Sequence, residues 1–520
     1  MNSTNRVKNG NGQDKMNHIN RNKSAKTFAP QKSLAAATDA VEDIEQSKNM
    51  ATPNAADDPV FAKYGPPFIT SKKGVVHMNQ RAVAEKCATE HVIRFEPRRN
   101  AFERFDQKIG LWVATHESAI RRMLGDQLLA LGKEWKQEEF VQLNTTGHFN
   151  ALCKMIQPYQ ANVASESTAG LIHVSNGVLD LQGATPKLLP HHPKYPFRSS
   201  PQIKYDPKAK CPKFLDNFLK VALTPEDIDL VQKYCGSMLL GPNMSHGILI
   251  IRGTAGGGKS TLVSIVEQII GEDSVAHLRT KHISGRFETS AFIGKRVLVG
   301  KDVPGDCLTE SGAHLLKSLV GGDLLQAEIK YNPNKPTIRG DYHVIIASNN
   351  RLRINLDGDE EAWGRRLLLV DFEKQKPSKP IADFAQKLVA EEGSGILNWL
   401  IKGAAAYRED MAKRGCIYRT EKHEQRVANL LHDSDSVLSF FEQRVIAQEK
   451  ADLSSEELLL GYYTHCTKHN WKPVSGHRFQ VQLPDLICQR YQVCRRNDIT
   501  RDGKAVRGYK DLALTKLALN

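Results

Sequence analysis

The sequence predicts an α/β fold with a parallel β-sheet, a helical amino-terminal region and a winged-helix domain at the carboxyl end. Three observations support this prediction. Short β-rich runs alternate with helical or loop stretches between residues 247 and 372. Apolar residues recur at helical spacing between about 85 and 160. Within 436–520, two helical stretches precede a basic, hairpin-like segment.

Length and charge restrict the kind of protein. A chain of 520 residues with 40% hydrophobic content can bury at least two cores. Its net charge of +14 favours a polyanionic partner such as nucleic acid, although a merely soluble basic protein also fits. The nine cysteines form no Cys-x-x-Cys pair, which predicts a reduced, cytosolic protein. No run of about eighteen uncharged apolar residues occurs, so we expect no membrane partner.

The amino-terminal part of the chain contains two stretches of different composition. Residues 1–60 are rich in Asn, Lys, Ser and Ala, which predicts a disordered tail. Its basic first half and acidic second half fit either a DNA contact or a solvated segment. Residues 85–190 are interpreted as a helical domain of unknown role, because apolar residues recur at helical spacing from Ile109, Leu111 and Trp112 to Ile120, Met123, Leu124 and Leu128. A Pro-, Lys- and His-rich stretch predicts a boundary near 190, and Thr224 precedes a proline as a helix cap.

A phosphate-binding motif lies between an apolar strand and a helical run. It comprises Gly253, Thr254, Ala255, Gly256, Gly257, Gly258, Lys259 and Ser260, followed by Thr261 at the start of the helix. The glycines let backbone N–H groups and the helix amino terminus face an anion. Lys259 is expected to neutralise β- and γ-phosphate oxygens, and Ser260 to hold Mg²⁺. The predicted cofactors are therefore ATP and Mg²⁺.

Three further strand ends carry polar candidates. Asp302 follows the strand 297–299 and is expected to act on the metal or the attacking water, although buried strands often end in an acid. Asn349 follows a third strand and either orients that water or serves turn chemistry. Arg365 and Arg366 precede the strand 367–370; one is an arginine finger for a neighbouring subunit, or both are ordinary surface residues.

This order of P-loop, acid, Asn and Arg resembles the superfamily 3 helicases, a branch of the AAA+ ATPases. The resemblance is closest to the phage and plasmid type related to poxvirus and papillomavirus replicative helicases, and covers roughly residues 170 to 520. Segments 176–181 and 205–207 resemble the family's pre-helicase region, 319–323 its DNA-contacting segment and 395–399 its post-helicase helix. The implied domains are pre-helicase 191–240, ATPase core 241–375, helical post-core 376–435 and winged helix 436–520.

The resemblance implies a ring-forming helicase that assembles as a homohexamer and moves 3′→5′ on single-stranded DNA. It would replicate a phage, plasmid or similar element in the cytoplasm of a bacterial host cell. Residues 1–170 lack a primase signature, so a separate primase is the expected partner. Family members usually carry two adjacent acids, whereas Lys301 occupies the first position here. An origin-binding initiator with little unwinding, and an ATPase acting on protein, are the alternatives.

Two basic segments are candidate DNA contacts. Lys330, with Lys335 and Arg339, fits the family's channel hairpin, or else forms a solvated face. The carboxy-terminal hairpin carries Arg495, Arg496, Lys504 and Arg507, which fit the wing of a domain that binds origin duplex DNA or only packs. Ser454 and Glu457 predict a capping box before it. His465, Cys466, His469, Cys488 and Cys494 fit no zinc spacing, so no zinc site is predicted.

Overall fold

The computed structural model describes residues 53–97, 100–142, 146–159, 168–283, 285–304, 312–330, 335–349, 352–354, 359–373, 381–469, 471 and 473–515. Most of the predicted tail therefore lies outside the described residues. The prediction is wrong for 53–60, where a turn of 3₁₀-helix spans Ala55–Asp57 and an α-helix begins at Pro59. The side chain of Asp58 caps that helix, and Phe61 is buried in the amino-terminal core.

The amino-terminal region contains helices and three small antiparallel sheets. Its elements are α1 (Pro59–Tyr64), β1 (Phe68–Thr70), β2 (Val76–Met78), α2 (Gln80–Glu90), β3 (Ile93–Glu96), β4 (Ala101–Asp106), β5 (Leu111–Thr115), α3 (Glu117–Glu134), α4 (Glu138–Gln142), α5 (Thr146–Tyr159), β6 (Leu171–Val174), β7 (Gly177–Asp180) and β8 (Lys187–Leu189). The helical prediction for 85–190 is thus only partly right. Leu111 and Trp112 lie in a strand because tertiary contacts outweigh local spacing: the indole N–H of Trp112 donates to the carbonyl oxygens of Pro193 and Tyr195.

The central part of the chain forms a five-stranded parallel sheet. After a helical segment at 213–222, its elements are α6 (Pro225–Ser237), β9 (Ile248–Gly253), α7 (Lys259–Ile270), β10 (Val275–His277), β11 (Val297–Gly300), α8 (Gly312–Val320), β12 (Leu324–Gln326), β13 (Thr337–Arg339), β14 (His343–Ser348), α9 (Glu360–Arg366) and β15 (Leu367–Phe372). The sheet order is β10-β11-β14-β9-β15. The four predicted strands are confirmed, and β10 is an additional one.

The sheet places the P-loop, Asp302 and Asn349 at the carboxyl ends of its strands. Its strands are buried on both faces, against α6, α7 and α10 (Phe384–Arg414) on one side and a second apolar cluster on the other. Strand β14 lies between β9 and β11, and all three run parallel. The residues that follow these strands therefore meet at their carboxyl ends, where ligands bind in open α/β sheets.

The carboxy-terminal part begins with long helices and ends in a small unit of helices and a three-stranded antiparallel sheet. After α10 come α11 (Glu421–Ser434), α12 (Ser436–Arg444), β16 (Val445–Ser454), α13 (Ser455–Lys468), α14 (Gly476–Tyr491), β17 (Arg496–Arg501) and β18 (Lys504–Leu514). The predicted capping box is confirmed, with Ser454 and Glu457 each accepting a backbone hydrogen bond from the other. No helix in the described ranges is long and apolar enough to cross a membrane.

Three buried histidines make stability depend on pH. Burial lowers the pKa of His173, His343 and His465 to about 4, from an ordinary value of 6.5. Their rings stay neutral in the folded chain at pH 7, while the unfolded chain takes up protons below pH 6.5. Their contribution to stability is therefore complete above pH 6.5 and is lost as pH falls toward about 4.

Replacing His173 with phenylalanine should reduce this acid sensitivity. The ring stacks on His191 at 4.7 Å between centroids, a position that an uncharged phenyl ring fills. Each of His173, His343 and His465 corresponds to up to about 3 kcal/mol over the full pH window. Urea unfolding from about pH 7 to about pH 4.5 should show a shallower loss for His173→Phe than for the parent chain. Equal slopes would remove His173 from this account.

Candidate nucleotide-binding site

The loop between β9 and α7 has the backbone of a phosphate-binding turn. Gly253, Gly256 and Gly258 have φ angles of 151°, 79° and 103°, which side chains disfavour. A Cβ on Gly253 would lie 2.2 Å from the carbonyl oxygen of Phe372 on the neighbouring strand. Thr254, Ala255 and Gly256 are exposed, and Ser260 and Thr261 lie in the first turn of α7. The loop therefore presents the amino terminus of a twelve-residue helix to solvent.

Lys259 folds back over this loop. It is only 3% exposed, and its Nζ donates to the carbonyl oxygens of Gly253 at 2.9 Å and Thr254 at 2.7 Å. A third hydrogen bond reaches Oδ1 of Asn349 at 2.6 Å. Burial lowers the pKa of Lys259, and the charge of Asp302 opposes that shift. These three hydrogen bonds hold the ammonium group at the carboxyl edge of the sheet.

Asn349 bridges the lysine and the acid. Its Nδ2 donates to Oδ1 of Asp302 at 3.0 Å, while its Oδ1 accepts from Lys259. The backbone supports this arrangement, since the N–H of Val303 donates to the carbonyl oxygen of Ala347 at the end of β14. Asp302 is exposed and has a φ of 52°, so the chain turns sharply after β11. Three predicted site residues from three strand ends thus form one connected group.

Lys301 points away from that group. Its Nζ forms an ion pair with Glu267 at 2.6 Å and donates to the hydroxyl of Ser264 at 3.0 Å, both on α7. The residue that departs from the helicase pattern therefore links β11 to the helix after the P-loop. Among the described residues, no group of three or more His, Cys, Asp or Glu side chains could hold a metal ion. Asp302 is the acid that the structure connects to Lys259 through Asn349.

Arg365 and Arg366 lie at the opposite edge of the sheet. Leu367, which follows them, pairs with Ile248 at the start of β9, whereas the P-loop follows Gly253 at its end. At about 3.3 Å per residue, these ends are roughly 17 Å apart. Arg366 donates to the carbonyl oxygen of Ala362 at 2.9 Å and Arg365 is exposed. The structure does not bring either arginine to the P-loop of its own chain.

A network of ion pairs beside the P-loop was not predicted. Arg252, directly before the P-loop, pairs with Asp371 at 2.7 Å, and Asp371 also pairs with Arg426 on α11 at 3.1 Å. Arg426 reaches the buried Asp227 at 2.5 Å, which also contacts His423 at 2.9 Å. Burial would raise the pKa of Asp227, but its bonds to His423 and Arg426 hold it below the ordinary value. The residues of this ion-pair network are far apart in the chain, so no local sequence pattern indicates the network.

The predicted channel segment forms a hairpin. Strands β12 and β13 pair antiparallel, from Leu324 opposite Arg339 to Gln326 opposite Thr337. Lys330, Lys335 and Arg339 are exposed, and Lys335 forms an ion pair with Glu328 at 2.9 Å. Glu328 also pairs with Arg286. The predicted segment therefore does form a hairpin, and the negative charge of Glu328 offsets part of the positive charge of its lysines.

The carboxy-terminal unit has its basic residues on the surface. Strands β16, β18 and β17 form an antiparallel sheet, and Asp502 and Gly503 turn the last hairpin with positive φ angles. Arg495, Lys504 and Arg507 are exposed, while the equally exposed Arg496 pairs with Asp498 at 2.6 Å. His465 and Cys466 are buried in the local core, and Cys488 and Cys494 are exposed.

One contact joins this unit to the segment after Asn349. The guanidinium of Arg353 lies 5.0 Å from the ring centroid of Trp471 and donates to the carbonyl oxygen of His469 at 3.0 Å. The N–H of Ile354 donates to the hydroxyl of Ser434 on α11. The chain that follows β14 is therefore held against both α11 and the carboxy-terminal unit.

Two family models match parts of the chain. One, described as D5 N terminal like, matches residues 80–223. Residues 80–223 are thus similar to a D5 amino-terminal region. The other, a family of unknown function (DUF5906), matches residues 251–366, from the end of β9 to Arg366. The D5-like match therefore includes residues 80–170. These residues lie outside the helicase resemblance, which covers roughly residues 170 to 520.

The chain resembles solved structures at low sequence identity. The chain is similar to the apo structure of the NrS-1 C terminal region (305-718), with 13% identity, a TM-score of 0.47, and coverage of 83% of this chain and 98% of that chain. The A form apo structure of the NrS-1 C terminal region gives 13% identity, a TM-score of 0.43, and coverage of 82% and 98%. No curated protein matches the chain.

Proposed function

We propose that the chain is an ATP-dependent DNA helicase that acts in the replication of a phage, plasmid or similar mobile element. The observation that carries this proposal is the connected group of Lys259, Asn349 and Asp302 beside a glycine-rich turn. Phosphoryl transfer depends on positioning and charge, and these residues supply a cation, an amide and a carboxylate at one sheet edge. The D5-like match supports a role in replication.

Each residue has a defined task in ATP hydrolysis. The backbone N–H groups of the loop bind phosphate oxygens, and Lys259 exchanges its present carbonyl and amide partners for a γ-phosphate oxygen. Asn349 orients the attacking water, and Asp302 accepts its proton or binds the metal. Ser260 and Asp302 would hold Mg²⁺, since hydroxyl and carboxylate oxygens suit this ion and it retains several waters. When bound, Mg²⁺ supplies positive charge to the phosphates.

Two observations support DNA as the partner. Exposed basic residues lie on the β12–β13 hairpin and on the carboxy-terminal hairpin, where phosphate contacts need no base recognition. From α12 onward the order is helix, strand, helix, helix, strand, strand, which is the order of a winged-helix domain. We propose that this domain binds duplex DNA at the origin and that the β12–β13 hairpin contacts the translocating single strand.

The arginine positions support a shared active site. Because Arg365 and Arg366 lie at the edge opposite the P-loop of their own chain, a phosphate contact from either requires a neighbouring subunit. A closed ring of identical subunits gives every P-loop such a neighbour. We therefore propose an AAA+ core that acts as a homohexamer, moves 3′→5′ and works with a separate primase.

One observation favours a second candidate function. The ion pair between Lys301 and Glu267 occupies the position where helicases of this type usually have a further acid. A site that has one acid, Asp302, directly after β11 in place of the usual two fits an initiator that binds ATP to assemble on an origin and unwinds little. Strand displacement separates the two candidates, because only the helicase releases a labelled strand in proportion to ATP hydrolysed.

Replacing Lys330 with alanine should uncouple this motor. Lys330 is exposed near the end of the β12–β13 hairpin, far along the chain from the P-loop, so ATP hydrolysis should stay within about twofold. Displacement of a strand from a 3′-tailed duplex should fall at least about tenfold, since phosphate contact is lost. The control is Lys387→Ala, which removes an exposed lysine at the start of α10. Unchanged displacement would exclude Lys330 from the DNA path.

A further inference from the structure

The β1–β2 hairpin of the amino-terminal region has an exposed tip. Ile69 pairs with His77 and Thr70 with Val76, and the tip closes with hydrogen bonds from the N–H of Ser71 to the carbonyl oxygen of Val75 and from the N–H of Val75 to the Ser71 hydroxyl. Gly74 at the tip has a φ of 78°, and no atom lies within 4 Å of the place a Cβ would take. The tip is therefore closed by its own hydrogen bonds and exposed to solvent.

The two faces of this hairpin differ. Phe68 is buried in the amino-terminal core, and Met78 packs against that core. Because side chains alternate along a strand, Ile69, Val75 and His77 share the outer face. Ile69 is 49% exposed and Val75 is 52% exposed. The hairpin thus presents an apolar surface to solvent on the side away from its core.

Positive charge lies at the tip of this hairpin and on the helices that flank it in the chain. Lys72 and Lys73 occupy the exposed tip, and no ion pair recorded within the described parts of the chain includes either. At the base of the hairpin, Lys63 and Arg81 lie 4.9 Å and 4.6 Å from the ring centroid of Tyr64. The carboxylate of Glu85 brings a negative charge near Lys63. The hairpin therefore combines two tip lysines with an exposed apolar face, while Lys63 and Arg81 add positive charge on the adjoining helices α1 and α2.

We propose that the β1–β2 hairpin is a contact site for single-stranded DNA, separate from the β12–β13 hairpin and the winged helix. The tip lysines neutralise phosphates, and the faces of unpaired bases bury the apolar side chains of Ile69 and Val75. A duplex could use the lysines but keeps its base faces stacked inside the helix, so it leaves the apolar face uncovered. The chemistry of the whole element therefore favours the single strand over the duplex and over an acidic protein.

Fluorescence anisotropy of the full chain tests this site without requiring ATP hydrolysis. The probes are an oligothymidylate and a duplex of equal length, each titrated at several salt concentrations. The double variant Lys72→Glu/Lys73→Glu should weaken single-strand binding at least about tenfold and reduce the salt slope by about 1.4, since each phosphate contact on a single strand contributes about 0.7. Lys133→Glu/Lys136→Glu is the control, because it makes the same charge change at exposed lysines of the same region.

A second variant tests the apolar face. Ile69→Ser/Val75→Ser keeps every charge, so it should weaken single-strand binding several-fold while duplex binding stays unchanged. Equal losses for both probes would show a duplex contact, and equal effects of the tip and control variants would show a general charge effect. Either result overturns the proposal. DNA-free ATP hydrolysis should be the same in the parent chain and in all these variants. A parent chain that hydrolyses no ATP but still loses single-strand binding in the tip variant would refute the proposed enzyme and leave the hairpin site standing.

Discussion

Replacing Lys259 with alanine should nearly abolish ATP hydrolysis. The lysine is the buried cation of the candidate site, and its Nζ is already held by the carbonyl oxygens of the P-loop and by Asn349. Removing a group that stabilises charge in the transition state lowers turnover by on the order of 10²–10³ or more. A malachite-green phosphate assay measures this loss. The fold should remain intact, because the side chain lies in a loop contact and not in an apolar core.

Lys301→Ala is the matched control for this experiment. Lys301 is close in sequence to Asp302 but pairs with Glu267 on α7. Its loss should lower the midpoint of thermal unfolding while hydrolysis at low temperature stays within about tenfold of the parent rate. If Lys259→Ala hydrolyses ATP like the parent chain, or if Lys301→Ala is the more damaging change for turnover, the assignment of the phosphate site is wrong.

Replacing the arginine that acts as a finger should stop turnover while ATP still binds. Arginine fingers contribute on the order of 10³ or more to the rate because they stabilise transferred charge in the transition state. Arg365→Ala and Arg366→Ala are tested singly, with nucleotide binding followed by a fluorescent ATP analogue. Arg366 is the better-held of the two, since it is half-buried and bonded to Ala362, whereas Arg365 is exposed.

Mixing the damaged subunits tests whether the site is shared. In a ring containing Lys259→Ala and finger-deficient chains, some interfaces join an intact P-loop to an intact arginine. Hydrolysis should therefore return in the mixture, to a fraction of the parent rate, although neither variant is active alone. Mass photometry establishes that the two chains co-assemble. Co-assembly without recovered hydrolysis, or full activity of both single arginine variants, would contradict a finger supplied by a neighbour.

The geometry of the candidate site was largely predictable from the sequence. The glycine-rich motif, its strand and its helix are where the sequence predicts them, and parallel strands place Asp302 and Asn349 at the same edge. The contacts of Asn349 with both Lys259 and Asp302 depend on strand order, which the sequence does not state. Strand β10 was missed because three residues are too short to show a period.

Contacts between distant parts of the chain account for the remaining differences. The bond from Arg426 to Asp227 spans 199 residues and that from Arg252 to Asp371 spans 119, so neither leaves a local pattern. Trp112 was assigned to a helix from its spacing, but the carbonyl oxygens it meets are more than 80 residues away. The ion pair of Lys301 with Glu267 likewise depends on the packing of α7 beside β11, which the sequence does not state.

The central claim is that ATP hydrolysis at the Lys259 site drives movement on single-stranded DNA. The most direct test is the steady-state rate of ATP hydrolysis by the full chain with and without a saturating oligothymidylate, with an equal amount of duplex as the comparison. We expect single-stranded DNA to raise the rate at least about tenfold and Lys259→Ala to remove the stimulated rate. A rate that is the same with and without single-stranded DNA would contradict a DNA-driven motor.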